Sequence, residues 1–354
     1  MSRESPLRVL VVGDPYLPAS AYTQPLAGLG GEVAVASLQI ADIASVPPRT
    51  ASERRLREYV GDPAAVCRAV AGQDVLIVHG APVSSEVLDA GPLRLVCCAR
   101  GGPVNVDVRA ATQRGIPVAS TPGKNAEAVA ELTIAFALLL IRSVPRASRY
   151  LLERGSFAES VFEGREFFGR EAASVTLGLV GLGRVGREVA ARAGPLGFTV
   201  LGYDPLVADA PGVELVPLED LLERSDIVSL HARATADNRH MFAGPQFARM
   251  RPGACFINTA RESLVDEAAL GAALARGALG GAALDVLERP PAGSRHTLLA
   301  QPNILVTPHI GGATAETLTR GAQRAVAAVA SLLAGRIPEH VVNPQVLHAG
   351  SAMT

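Results

Sequence analysis

One feature constrains the fold more than any other: short apolar runs alternate with helical stretches along most of the chain. Within the first 120 residues the runs are LRVLVVG, EVAVAS, DVLIVHG, LRLVCCA and IPVAS. A second series follows: SVTLGLVG, FTVLGYD, VELVP, DIVSLHA, ACFINTA, GGAALDV and NILVTPH. Apolar runs of about four to eight residues bounded by Gly, Pro and Asp have the form of buried strands in a parallel sheet. Alternation with helices predicts βαβ units, here in two series, and therefore an α/β fold. The length of 354 residues agrees with two domains.

Between the series, Asn125 to about Arg142 reads as a helix, with Glu127 and Glu131 near its start and Arg142 at its end. About Glu316 to Leu333 reads as another, ended by Gly335. The apolar share of 48% against 19% charged excludes a disordered chain. Aromatics are only 4% and tryptophan is absent, so alanine, valine and leucine must fill the interior. A net charge of −1 offers no general field for nucleic acid or an anionic membrane, and neither partner is expected. The apolar run Leu132 to Ile141 falls short of the roughly 20 residues of a membrane span, and the apolar run near the start is too short for a signal-peptide core. Cys67, Cys97, Cys98 and Cys255 show no CxxC spacing, so reduced thiols, no metal site and a cytoplasmic protein are expected.

The sharpest local signal is TLGLVGLGRVGREVA. A strand to Val180 is followed by Gly181, Gly183 and Gly186, which satisfy G-x-G-x-x-G, and then by a helix. Gly181 permits the tight turn, Gly183 lets the backbone approach a pyrophosphate, and Gly186 lets helix pack on strand. The helix N-terminus offers free N–H groups to the phosphates, those of Arg184 and Val185 among them. Asp204 ends the next strand, 18 residues beyond Gly186, where a carboxylate binds the ribose hydroxyls and repels the 2′-phosphate of NADP. NAD is the expected cofactor.

TPGKNAEAVAEL, GLGRVGREVA, SDIVSLHARAT, MRPGACFINTARESLVDEAAL, GGAALDV and NILVTPHIGGAT follow one another in an order that resembles the D-2-hydroxyacid dehydrogenases, the family of D-3-phosphoglycerate dehydrogenase and glyoxylate/hydroxypyruvate reductase. The resemblance is dense from about Thr121 to Thr314 and thinner before residue 115. It implies two Rossmann-like domains with an active-site cleft between them. The substrate-binding domain would hold residues 1–121 and 311–354, and the NAD-binding domain residues 122–310. The helix from Asn125 to Arg142 would join the lobes and pack a homodimer.

The catalytic residues are carried over one at a time. Arg261, in INTAR, takes the position of the arginine that holds the substrate carboxylate and polarises the keto group; a planar guanidinium suits that task. His309, in TPHIGG, takes that of the general acid, for which an imidazole is well matched at neutral pH. The third family residue is a glutamate bonded to that histidine, in D-V-x-x-x-E-P. Here the chain departs: after Asp285 it reads Val286, Leu287, Glu288, Arg289, Pro290, Pro291, and an ungapped alignment puts Pro290 where the glutamate belongs. Glu288 could reach His309 through a reshaped loop, His309 could work without a carboxylate, or catalysis could be impaired. Formate dehydrogenases of the superfamily use glutamine there, so the carboxylate is not indispensable.

Other positions follow the same resemblance. Asp285 matches the residue that bonds the nicotinamide carboxamide, and Thr259 and Ala260 lend backbone near the nicotinamide. Arg233, Thr235 and Gly312 complete the expected cofactor lining, Arg233 standing where the family usually has proline. His231 ends a cofactor-lining strand and reads as structural. For the substrate, the loop Arg100-Gly101-Gly102 can aim N–H groups at an anion, with a charge from Arg100. His79 stands where phosphoglycerate-using members carry an arginine, which argues against a phosphorylated substrate. Tyr16, after the first strand, either lines the pocket or covers the domain edge. The expected activity is hydride transfer between NAD and C2 of a small hydroxylated 2-hydroxy or 2-oxo acid. An NAD(H)-sensing, corepressor-like protein is the rival reading, with oxidation of formate or phosphite as a third.

Overall fold

The computed structural model describes residues 5–155, 161–288 and 294–347. The chain divides into two compact units, Met1–Lys124 with Thr314–Thr354, and Asn125–Ala313. The seams therefore follow Lys124 and Ala313, slightly beyond the expected 121 and 310.

In unit 1 all five apolar runs form strands: β1 (Leu7–Gly13), β2 (Val33–Gln39), β3 (Val75–Val78), β4 (Leu95–Cys98) and β5 (Val118–Ala119). They make one parallel sheet in the order β2-β1-β3-β4-β5. One face packs Val9, Val11 and Ile77 against Tyr22 and Leu26 of the helix Ser20–Ala27 and Ala322, Val326 and Val329 of the helix Ala315–Leu333. The other packs Leu10, Leu76 and Val96 against Val66, Val87, Leu88 and Ala111. One expectation needs correcting. β2 is not a buried strand: it lies at the sheet edge and holds only half-buried and exposed residues, Val35 being 38% exposed. An edge strand has a neighbour on one side only, so its apolar composition does not guarantee cover. The far end of the chain completes the sheet. Buried Asn343 accepts from Val118 N–H (2.8 Å) and donates to Ile116 O (2.9 Å), and Ala119 pairs antiparallel with Val341.

Unit 2 holds the second series: β6 (Thr176–Val180), β7 (Thr199–Tyr203), β8 (Glu214–Leu215), β9 (Ile227–Leu230), β10 (Ala254–Asn258), β11 (Leu279–Leu284) and β12 (Ile304–Val306). These seven form a second parallel sheet, ordered β12-β11-β10-β9-β6-β7-β8. The helix Ala126–Ile141 buries Ala130, Ile134, Ala137 and Leu140 in this unit, in one core with Val189 and Ala190 of the helix Arg184–Ala193. A cluster of Phe242, Phe247 and Phe256 anchors the opposite face, with Phe247 and Phe256 edge to face at 5.3 Å. Among the described residues no single helix is long and apolar enough to cross a membrane.

Candidate active site

Because every strand pair in the sheet of unit 2 is parallel, the carboxyl ends of its strands share one edge. That edge is where open α/β sheets bind ligands. It carries Gly181 after β6, Asp204 after β7, His231 after β9, Thr259 to Arg261 after β10, Asp285 after β11 and the turn with His309 after β12.

The glycine turn is built by close contacts. Gly181 has φ +99°, and a Cβ there would stand 2.7 Å from Ala232 N. A Cβ on Gly186 would stand 2.1 Å from Gly181 O, so helix and turn touch only because that position lacks a side chain. Gly183, by contrast, caps the helix Arg184–Ala193 and would place a Cβ in open space, with no protein atom within 4 Å. The turn thus offers N–H groups over a cradle that a side chain would fill, which fits a pyrophosphate. Asp204 steadies it: one carboxylate oxygen accepts from Leu182 N–H (2.8 Å), the other from Leu206 N–H (2.9 Å). Each oxygen keeps a lone pair for a ribose hydroxyl. Arg184 and Arg233 are exposed, and Val185 is half-buried. Asn238 closes the neighbouring loop by donating to Arg233 O and accepting from Thr235 N–H, both at 2.8 Å.

Arg261 is exposed, its guanidinium donating to Ala260 O at 2.6 Å. Its turn is held from below by Asn258, buried to 1% exposure, which donates to Arg261 O and accepts from Ala260 N–H, both at 2.9 Å. Thr259 is fixed at the same turn by a 3.0 Å bond between its hydroxyl and that of Thr133. Asn258 lay within the INTAR motif without being singled out; its role depends on burial, which the motif does not display.

His309 is exposed and sits at φ +58°, an uncommon backbone for a side chain larger than glycine. Asp285 explains the conformation. Buried at 2% exposure, it accepts from Thr307 Oγ1 (2.6 Å), Ile310 N–H (2.8 Å) and Gly311 N–H (2.8 Å), so one carboxylate binds both sides of the His309 turn. A Cβ on Gly311 would lie 2.8 Å from that carboxylate, and one on Gly312 would lie 2.8 Å from the Asn125 amide. Among the described residues no acidic side chain bonds His309. Glu288 points elsewhere, its carboxylate 3.4 Å from Arg239 and 3.9 Å from His240. The expectation that Glu288 reaches His309 is corrected accordingly: its carboxylate faces Arg239 and His240, and its backbone N–H donates to Glu267 at 2.7 Å. Pro290 lies outside the described residues. A closer acid–histidine pair in unit 2 is Glu267 with His296, 2.7 Å apart, and burial raises the Glu267 carboxyl above its ordinary value. The ring of His231 is enclosed, with Nε2 2.9 Å from the Ser229 hydroxyl, and loss of water pushes the imidazole down to about 4, so it stays neutral.

Unit 1 has its own carboxyl edge. His79, after β3, meets the buried Asp14, after β1, at 3.0 Å. Burial alone would raise the Asp14 carboxyl, but His79 and the N–H groups of Leu17 and Gly80 hold it below the usual range. Arg100, after β4, is paired with Glu58 at 2.5 Å, while Gly101 and Gly102 beside it are exposed. Tyr16 is 59% exposed.

Residues 134–311 match the family model described as D-isomer specific 2-hydroxyacid dehydrogenase, NAD binding domain. A glyoxylate reductase of Korarchaeum cryptofilum is 38% identical over 75% of this chain and 81% of its own length. A D-3-phosphoglycerate dehydrogenase of Methanocaldococcus jannaschii is 38% identical over 76% of this chain, which spans only about half (52%) of that relative. Among solved structures, the TT0316 protein of Thermus thermophilus superposes with a TM-score of 0.76 at 34% identity, covering 95% of this chain and all of the other. D-2-hydroxyisocaproate dehydrogenase shares the fold, with a TM-score of 0.78 at 24% identity over 95% of this chain. The matched segment contains the glycine turn and Asp204, and NAD is the cofactor it holds. The chain belongs to the D-isomer-specific 2-hydroxyacid dehydrogenase family.

Proposed function

We propose that the protein is an NAD-dependent dehydrogenase of small 2-hydroxy and 2-oxo acids. The observation that carries this reading is the common edge of unit 2, where Arg261 and His309 stand on the same row of strand ends as the glycine turn and Asp204. When bound, the nicotinamide supplies or accepts the hydride at C2. Arg261 holds the acid's carboxylate and polarises the carbonyl, stabilising charge that grows on its oxygen. In the reductive direction His309 gives that oxygen a proton, and in the oxidative direction it takes the proton back. Asp285 keeps the turn that carries the imidazole in place, so a fixed backbone takes over part of the orienting task that the family gives to its glutamate.

The substrate is proposed to be non-phosphorylated and hydroxylated, since His79, held by Asp14, stands where phosphoglycerate-using members have an arginine. Four free thiols favour the cytoplasm as its location. Exposed Leu152 and Phe168, at 80% and 84%, favour a homodimer. The sensing protein remains the second reading, supported by the absence of an acidic partner for His309 among the described residues.

NADH oxidation by the purified protein against glyoxylate, pyruvate, hydroxypyruvate, its phosphate ester and four-carbon hydroxylated 2-oxo acids tests the proposal. Turnover is expected on at least one non-phosphorylated acid. Arg261→Ala and His309→Ala should each lower it by about 10² to 10⁴-fold while NADH binding persists. Tight NADH binding without turnover on any acid would establish the sensing protein instead.

A further inference from the structure

The edge of unit 1 contains a charge with no protein partner. Lys124 is 8% exposed, yet among the described residues its ammonium makes no hydrogen bond or ion pair. Its backbone is rigidly placed. Thr121 N–H donates to Arg100 O (2.9 Å), Arg324 donates to Pro122 O (2.7 Å) and Arg320 to Lys124 O (2.8 Å), the arginines coming from the helix Ala315–Leu333. The side chain lies over Gly321 of that helix, where a Cβ would come within 3.1 Å of both Cδ and Nζ. Glycine there leaves the lysine its space. Three residues earlier, among the described residues, the hydroxyl of Thr121 is buried and likewise unpartnered. Two unsatisfied polar ends in one pinned turn are costly in an apoprotein, because each has lost most of its water without gaining a bond.

The neighbouring charges do not supply the missing partner. Asp14 already accepts from Tyr16 and Leu17 N–H on one oxygen and from Gly80 N–H and His79 on the other. Arg100, the other cation of this edge, is matched by Glu58. Cys98 is a buried thiol that burial pushes up to about 11, so it is neutral. We propose that Lys124 is the anion-holding residue of unit 1 and takes a carboxylate group of a small organic acid. The proposal rests on the dehydrogenase reading for the identity of that acid as the substrate, but not for the binding itself. It adds to the Gly101–Gly102 loop the unpaired cation that Arg100, engaged by Glu58, does not provide.

A charged lysine in this place carries a signature. Burial pushes it down from 10.5 to about 8, with smaller influences, in decreasing order, from Cys98 (upward), Arg100 (downward) and Asp14 (upward). Between those two values the unfolded chain binds more protons on this group than the folded one, so stability rises with pH through that window. A carboxylate that binds the charged form must loosen as pH rises past about 8.

The test uses the full chain, with Lys124→Met and Lys124→Arg, and oxalate as the probe. In calorimetric titrations of the NADH-loaded protein, Lys124→Met should weaken oxalate at least about tenfold, leave NADH affinity unchanged, and be largely rescued by Lys124→Arg. Wild-type oxalate affinity should fall between pH 7 and pH 9, and that of Lys124→Arg should not. Without oxalate, Lys124→Met should melt higher than wild type at pH 7, the gap narrowing toward pH 10, whereas a lysine that merely supports the fold would melt lower when removed. Equal oxalate affinity in wild type and Lys124→Met, or no oxalate binding by wild type, would overturn the proposal. Lys124-dependent oxalate binding in a protein that reduces none of the acids would leave the proposal standing and remove the dehydrogenase reading.

Discussion

Asp285 shows how much one carboxylate can determine. Its two oxygens accept three donors across the His309 turn, and that turn holds an otherwise unfavourable backbone at φ +58°. Asp285→Asn keeps the shape but puts an NH₂ group where an acceptor is needed, so at least one N–H must go unbonded. We expect a loss of about 1–3 kcal/mol in urea unfolding, with kcat falling more than KM rises. Unchanged stability would show that the three bonds do not hold the turn. The sequence singled out Asp285, but its partners sit 22 to 26 positions away, and only the folded sheet reveals them. Glu288 illustrates the converse. As a carboxylate near the expected place it was a reasonable partner for His309, yet Arg239, 49 positions earlier, faces it in the structure. Lys124 lay unremarked inside TPGKN, because its burial depends on a helix that begins at Ala315.

Elements were more legible than contacts. All twelve apolar runs form strands, because a strand covered on both faces must be apolar along its whole length, and that leaves a plain mark in sequence. β2 and the short edge strand β8 are exceptions in burial and not in kind: whether a strand ends up at an edge is decided by topology, which composition does not encode. The glycine turn was legible for the same reason as the strands, its chemistry being local. It also allows a sharp comparison. Gly183→Ala meets no protein atom and should melt within a few degrees of wild type while weakening NADH at least about tenfold, because the methyl enters the ligand's space. Gly186→Ala drives a Cβ against Gly181 O and should lose both stability and NADH binding. Fluorescence titration with NADH and thermal melting separate the two effects. NADH affinity unchanged in Gly183→Ala would remove the pyrophosphate from this turn.

For the whole molecule, the first question is assembly. Leu152 and Phe168 leave large apolar side chains in water, and Leu152→Glu with Phe168→Glu should convert a dimer to a monomer in sedimentation experiments. A wild-type chain that already sediments as a monomer would refute the homodimer. The second question concerns the order in which the units can form. Unit 2 is one continuous stretch, Asn125–Ala313, whereas unit 1 takes its first strand at Leu7 and its last buried clamp at Asn343. On the ribosome, unit 2 can complete its sheet while unit 1 still lacks the helix Ala315–Leu333 that covers one face of its own. The strands of unit 1 must therefore wait through the synthesis of unit 2 with that apolar face covered only in part, by the helix Ser20–Ala27, and their closure spans a long sequence separation. The unit whose synthesis begins before the other's is the one that finishes folding after it.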